Sequence, residues 1–391
     1  MSRIIMQPSG KSVDCAYGDT VLMALEKAGY ALPNNCRAGA CGECKVKVTS
    51  GQFDQGMVLD MALSQEERRQ GYGLMCMAKP ISDELSIEWG TEDARPKLFP
   101  PREDALFVVT DKRAVAERVV ELRLRPVGQP IRYWPGQYVT LGNPRADIPA
   151  RAYSISNAPR PDGELVLQVA RADGGVTSNW IHDSLGLGES VKVSGAYGTF
   201  IGDPGVDTPV LCLAAGTGLA PILALTEAAL RRGFRKPVTL LFSARSEADV
   251  YGRGMLAWWR TKHRSFDYKI TLTRESRDDC LGGRIDAVLP GLFPDLSKHT
   301  VFAAGSPAFV DSCVATVTAL GAVRERIHTE GFFAHQQPVV ADADHLLVLV
   351  VEILGPQLGM DDRALKVLAA GEVGDVRVLI VVVPGAHEQE A

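Results

Sequence analysis

The run Cys36-Arg37-Ala38-Gly39-Ala40-Cys41-Gly42-Glu43-Cys44, with Cys76 downstream, sets four thiols in the spacing C-x4-C-x2-C…C. This spacing lets four thiolates converge on a two-iron, two-sulfide cluster. The loop must wrap closely enough for backbone N–H groups to point at the sulfides, and Ala38, Gly39, Ala40 and Gly42 keep its side chains small. Structural zinc is the alternative. Zinc favours paired C-x2-C or Cys/His ligands, and only Cys41 and Cys44 are so spaced. Cys15, Cys212, Cys280 and Cys313 are scattered, and Cys212, inside the apolar run 210–215, reads as a buried inert thiol.

Outward from the loop, residues 4–6 and 45–49 read as short strands, the latter by the alternation Lys45, Val46, Lys47, Val48. Residues 20–28 read as a helix, with Asp19 or Thr20 as N-cap and Gly29 closing it. Over residues 3–90 the chain resembles the plant-type ferredoxins. That resemblance implies an α+β ferredoxin-like (β-grasp) domain, residues 1–92, holding one 2Fe–2S cluster through Cys36, Cys41, Cys44 and Cys76. Pro96, Pro100 and Pro101 among clustered charges mark residues 93–103 as a linker. Arg37 reads as a solvated surface charge, with a modest rise in the cluster's potential as the sharper alternative. Asp54, Asp60, Glu66 and Glu67 read as solvated faces, with steering of a basic partner as the sharper alternative.

Residues 104–203 are strand-rich. Strands are expected at 119–125, at 137–141 after the turn Trp134-Pro135-Gly136, at 165–171 and at 191–194, which suggests a small antiparallel barrel. Within it stands Arg151-Ala152-Tyr153-Ser154. A guanidinium can clamp a phosphate, a flat ring can stack on an isoalloxazine, and a hydroxyl can reach the ring nitrogen that receives hydride. The motif closely matches the R-x-Y-S of the ferredoxin–NADP reductase superfamily, which implies FAD. Gly174-Gly175-Val176-Thr177-Ser178 falls at a strand-to-helix junction, where glycines at a helix N-terminus form an anion site. By the same resemblance, Gly175, Val176, Thr177 and Ser178 take the flavin diphosphate.

From residue 208 the pattern turns to strand, helix, strand, which argues for an α/β parallel-sheet domain over residues 204–333. Gly216-Thr217-Gly218 and Pro221 follow the strand 210–215, where glycines permit close approach of a pyrophosphate and proline suits a first helical turn. The stretch resembles the G-T-G-x-A-P turn of the superfamily's nicotinamide domain. Gly305-Ser306-Pro307 resembles the C-G-x-P turn beside the nicotinamide ring, with Ala304 in place of the usual cysteine. His328 to Phe333 resembles the end of that domain in oxygenase reductases, where an acidic residue and an aromatic ring lie near the flavin. This nominates Glu330 beside Ser154 as catalytic. It leaves Phe332 and Phe333 as either a flavin lid or a core pair. Arg245 and Glu247, past the strand 238–243, pull toward NADPH and NADH respectively, and NADH is the expectation. Residues 334–391 form a C-terminal extension of uncertain fold.

The order of domains is similar to that of reductase components of bacterial multicomponent oxygenases. The resemblance implies electrons passing from NADH through FAD and the cluster to a terminal oxygenase or an intermediate ferredoxin. A reductase for a deoxysugar dehydrase, or a carrier with regulatory nucleotide-binding domains, are the alternatives. With 391 residues, 23% charged and a net charge of −5, the composition is that of globular protein and gives no reason to expect nucleic acid or an anionic membrane as partner. No apolar run approaches the roughly 20 residues that span a bilayer. The expected location is the cytoplasm.

Overall fold

The computed structural model describes residues 1–203 and 205–332. The expectations for Phe333 and for residues 334–391 lie outside the described residues.

In the first domain a mixed five-stranded sheet runs in the order Lys11–Cys15, Ser2–Gln7, Glu84–Glu88, Lys45–Ser50 and Tyr72–Leu74. The helix Val21–Lys27 starts where Thr20 accepts the Met23 N–H (3.3 Å) and ends at Gly29, whose φ of +81° suits glycine. It packs Leu22 and Leu25 against Ile4, Leu85 and Ile87, all fully buried. Each such side chain contributes about 1.5–3 kcal/mol. The strands Lys11–Cys15 and Glu84–Glu88 are not among the expected ones, although Leu85 and Ile87 alternate with Glu84, Ser86 and Glu88 just as Val46 and Val48 alternate with Lys45 and Lys47.

Residues 93–103 are strapped down along much of their length. The Gly29 carbonyl accepts from Lys97 and Leu98 N–H at 2.8 and 2.9 Å. The Trp134 indole donates to the Lys97 carbonyl at 2.8 Å, and its ring stacks on Phe99. Thus the segment between the first two domains is held by hydrogen bonds on both sides.

The second domain is a six-stranded antiparallel sheet ordered Ile148–Ser154, Tyr138–Asn143, Ser190–Tyr197, Arg102–Ala116, Val119–Pro126 and Leu165–Ala170. A bridge between Ile155 and Leu167 brings its two edges together, giving the expected barrel. Alternate residues Leu122, Leu124, Val139, Leu141, Leu165 and Leu167 fill its interior. The third domain is a parallel six-stranded sheet ordered Leu281–Gly282, Phe266–Leu272, Val238–Ala244, Val210–Ala215, Thr300–Gly305 and Ile327–Gly331. The helices Leu219–Arg231, Arg253–Lys262, Ile285–Leu292 and Pro307–Ala319 alternate with its strands. The strand order changes direction beside Val210–Ala215, which puts the Gly216–Gly218 turn at a crevice. Among the described residues no helix is long and apolar enough to cross a membrane.

Candidate functional site

The cysteine loop holds its shape through left-handed backbone at Arg37 (φ 54°), Gly39 (φ 69°) and Gly42 (φ 78°). At Gly39 a Cβ would stand 2.8 Å from the Met57 carbonyl oxygen, so only glycine fits under the covering segment. The backbone N–H groups of Ala38 and Ala40 each donate to Cys36 Sγ at 3.4 Å, and that of Cys76 to Cys44 Sγ at 3.4 Å. The four thiols fall into two pairs. Cys41 bonds Cys36, which lowers the Cys36 thiol to about 5, and Cys44 bonds Cys76, which lowers Cys76; both donors are raised, and burial adds to their rise. Two thiols on each of two centres suit a binuclear cluster. Among the described residues no three Cys, His, Asp or Glu side chains converge as one metal ion would require.

Arg37 does not stand in solvent as the sequence reading has it. Its side chain is 25% exposed, and its guanidinium donates to Glu26 Oε1 at 2.7 Å. Glu26, on the capped helix, is itself buried. The same guanidinium lies 4.7 Å from the centre of the Tyr197 ring and 3.5 Å from Tyr138 Oη, both in the barrel. Of Asp54, Asp60, Glu66 and Glu67, three are paired locally. Asp60 pairs with Arg68 (2.7 Å), Glu66 with Arg69 (2.8 Å) and Glu67 with Lys45 (2.6 Å).

Tyr138 leads to the flavin motif, for it opposes Ser154 directly across the antiparallel ladder. Arg151 and Tyr153 lie on the same strand and are half-buried, the Arg151 guanidinium donating to the Ala150 carbonyl (2.9 Å) and to no other partner among the described residues. The Ser154 hydroxyl is buried beside the Glu330 carboxyl. Burial pushes Glu330 up to about 8, against the opposing hydrogen bond from Ser154, and its Oε2 has no partner among the described residues. A buried acid with an unsatisfied oxygen at this point is what a site for a polar heterocycle leaves when the protein alone is considered.

The helix Val176–Asp183 begins at Gly175, which offers no side-chain cap, so its first N–H groups are open toward an anion. Two of the hydroxyls expected there are spent within the protein. Thr177 Oγ1 donates to the Pro149 carbonyl (2.5 Å), and Ser178 Oγ accepts from Ala172 N–H (3.1 Å). In the third domain Gly216 (φ 55°) faces open space, whereas Gly218 is packed on backbone. Ser306 caps the helix Pro307–Ala319 by accepting from Phe309 N–H (3.4 Å), with Pro307 at its first turn. Phe332 N–H donates to the Gly305 carbonyl at 2.7 Å, which sets the end of the described chain beside that turn. Arg245 is exposed, while Glu247 is engaged by Arg253 at 2.7 Å and approached by Arg277 at 3.8 Å.

The sequence reading missed Glu26, Asn35, Tyr138, Tyr197 and Trp134. None belongs to a contiguous motif, and only their tertiary neighbours give them meaning. The Asn35 amide is matched to Gly331, its nitrogen 2.9 Å from the carbonyl and its oxygen 3.0 Å from the N–H. A cavity of about 730 Å³, lined by Asn35, Glu43, Trp134, Tyr138, Thr199 and Glu330, opens where the three domains meet.

Residues 4–80 match the 2Fe-2S iron-sulfur cluster binding domain family, 107–201 the oxidoreductase FAD-binding domain and 212–315 the oxidoreductase NAD-binding domain. The reductase subunit of an Amycolatopsis aromatic O-demethylase is 34% identical over 328 residues, 83% of this chain and 96% of that protein. The phenol 2-monooxygenase reductase component DmpP of a Pseudomonas is 29% identical, over 80% of this chain and 89% of its own length. The crystal structure of the Amycolatopsis cytochrome P450 reductase GcoB superposes with a TM-score of 0.78 at 31% identity, covering 85% of this chain and 99% of that one. The ferredoxin reductase in carbazole 1,9a-dioxygenase shares the fold, with a TM-score of 0.69 at 24% identity over 85% of this chain and 98% of that one. With its cluster, flavin and nicotinamide domains in this order, the chain belongs to the electron-transfer reductase components of oxygenase systems.

Proposed function

We propose that this reductase takes its electrons from NADH and delivers them singly to the terminal oxygenase of an aromatic-hydroxylating system, directly or through an intermediate ferredoxin. The observation that carries the reading is the seat of the cysteine loop, against Tyr138 opposite Ser154 and against Gly331 beside Glu330. Cluster ligands and flavin-site residues are thereby adjacent although they belong to three domains. When bound, FAD supplies the exchange between a hydride pair and single electrons, and the cluster supplies one-electron output.

The chain's own residues then have the following roles. Cys36, Cys41, Cys44 and Cys76 ligate the cluster. Arg151 holds the flavin phosphate by a charge-assisted hydrogen bond, helped by the open N–H groups at Gly175 and Val176. Thr177 and Ser178 shape that turn through their internal bonds. Tyr153 offers a flat face to the ring, Ser154 a hydroxyl to its reactive edge, and Glu330 a carboxyl that holds its proton at neutral pH. Gly216 and Thr217 line the nucleotide crevice, with Gly218 and Pro221 setting its backbone. Gly305, Ser306 and Pro307 shape the turn at the nicotinamide end, and Phe332 covers it. NADPH is the second reading, favoured by an exposed Arg245 next to a Glu247 already engaged by arginine.

The test is composition and turnover together. The purified protein should carry two irons, two acid-labile sulfides and one FAD per chain, and should oxidise NADH with ferricyanide. Zinc in place of iron, or no turnover with either nicotinamide, would overturn the reading.

A further inference from the structure

The cluster ligand Cys36 sits between two residues that reach out of the ferredoxin domain in different directions. Asn35 grips the backbone of Gly331, immediately after Glu330 in the third domain. Arg37 reaches the barrel, with its Nη1 donating to buried Glu26 and lying 3.5 Å from Tyr138 Oη, and its Cζ 4.7 Å from the centre of the Tyr197 ring. Tyr197 is itself held by Glu103, to which its hydroxyl donates at 2.7 Å. The two partners lead to the two sides of the flavin site, since Tyr138 opposes Ser154 in register and Gly331 adjoins Glu330. A guanidinium can pair with a carboxylate and present a delocalised cation to an aromatic ring at once, which an ammonium does less well. A left-handed backbone at Arg37 directs the side chain out of the loop, a conformation that a non-glycine residue adopts only at a cost of about 1–2 kcal/mol.

We propose that Asn35 and Arg37 are positioning residues that hold the cluster loop on both walls of the flavin site, so that electron transfer from flavin to cluster runs in this seated arrangement. The inference rests on the reading that electrons leave through the cluster. One NADH yields NAD+, a proton and two electrons, and these leave as two single-electron reductions of acceptor.

The test uses the full chain and two variants. Arg37→Lys keeps a charge for Glu26 but cannot reach Glu26 and also set a planar cation over Tyr197. Tyr197→Leu weakens the same seat from the barrel, away from the cysteines, and so stays informative if the first variant assembles its cluster poorly. Both should keep iron, sulfide and flavin content, the cluster's midpoint potential and NADH–ferricyanide turnover. Cytochrome c reduction should fall at least about tenfold, because holding the two centres in register sets the rate of the step between them. Protease cleavage within residues 93–103 should rise. The proposal is overturned if both variants keep the wild-type cytochrome c rate and cleavage pattern, or if a shift in cluster potential accounts for the whole loss. Cys41→Ser separates the two ideas. If that variant still reduces cytochrome c, exit through the cluster fails. If it does not, while Arg37→Lys and Tyr197→Leu behave as wild type, only the positioning role fails.

Discussion

A Cβ on Gly218 would stand 2.1 Å from the carbonyl oxygen of Ala304 and 2.7 Å from the backbone nitrogen of Gly305. The two turns at the head of the parallel sheet, one after Val210–Ala215 and one after Thr300–Gly305, therefore meet backbone to backbone at Gly218. The sequence reading assigns this glycine to the approach of a pyrophosphate. The structure adds that Gly218 is packed on the backbone of the neighbouring turn, whereas Gly216 has open space around it.

Gly218→Ala should accordingly destabilise the third domain by about 1–3 kcal/mol through overpacking. Gly216→Ala should cost only about 1–2 kcal/mol for a left-handed alanine and raise the KM for nicotinamide instead. Urea unfolding of both variants checks the ranking. A Gly216→Ala variant less stable than Gly218→Ala would reverse it.

Glu330 makes stability depend on pH in a definite direction. Its carboxyl is raised from 4.5 to about 8 by burial, so between those values the folded chain keeps a proton that the unfolded chain has released. This contribution is fully present below pH 4.5 and is lost as pH rises toward 8, at up to about 1.4 kcal/mol per pH unit. Urea midpoints of flavin-free protein should fall across that window more steeply than those of Glu330→Gln. Parallel curves would show that Glu330 titrates normally.

Cys41 is the most exposed of the four loop thiols, and the ferredoxin core of Ile4, Leu22, Leu25, Leu85 and Ile87 does not depend on it. Cys41→Ser should fold but lack a stable cluster, because a hydroxyl is a poorer ligand than a soft thiolate. It should still oxidise NADH with ferricyanide and fail with cytochrome c. Loss of both reactions would mean that the cluster loop is needed to build the flavin site.

The nicotinamide preference turns on Arg245 and Glu247. If NADH is the donor, kcat/KM should be higher with NADH than with NADPH, and Arg245→Ala should widen the gap by lowering only the NADPH value. A higher value with NADPH that Arg245→Ala abolishes would assign the exposed guanidinium to a 2′-phosphate.

By itself the sequence determined what contiguous residues decide. The cysteine spacing, the Arg151-to-Ser154 run and the two glycine turns each carry their chemistry within a few residues, so domain order and cofactors are legible from them. Strand and helix alternation after residue 208 is equally plain, because parallel strands buried on both faces are continuously apolar. The tertiary structure alone decided which of these residues touch. Arg37 looks like a surface charge until Tyr138, 101 positions away, lies beside it. Gly218 reads as a glycine for close approach of a pyrophosphate, and only the structure shows that the Ala304 carbonyl also leaves no room for a Cβ there. Asn35 has no motif at all, yet meets Gly331 from the third domain. Periodicity records which face of an element is buried, but not which distant backbone comes to bury it, and at the junction of three domains that is the information the function needs.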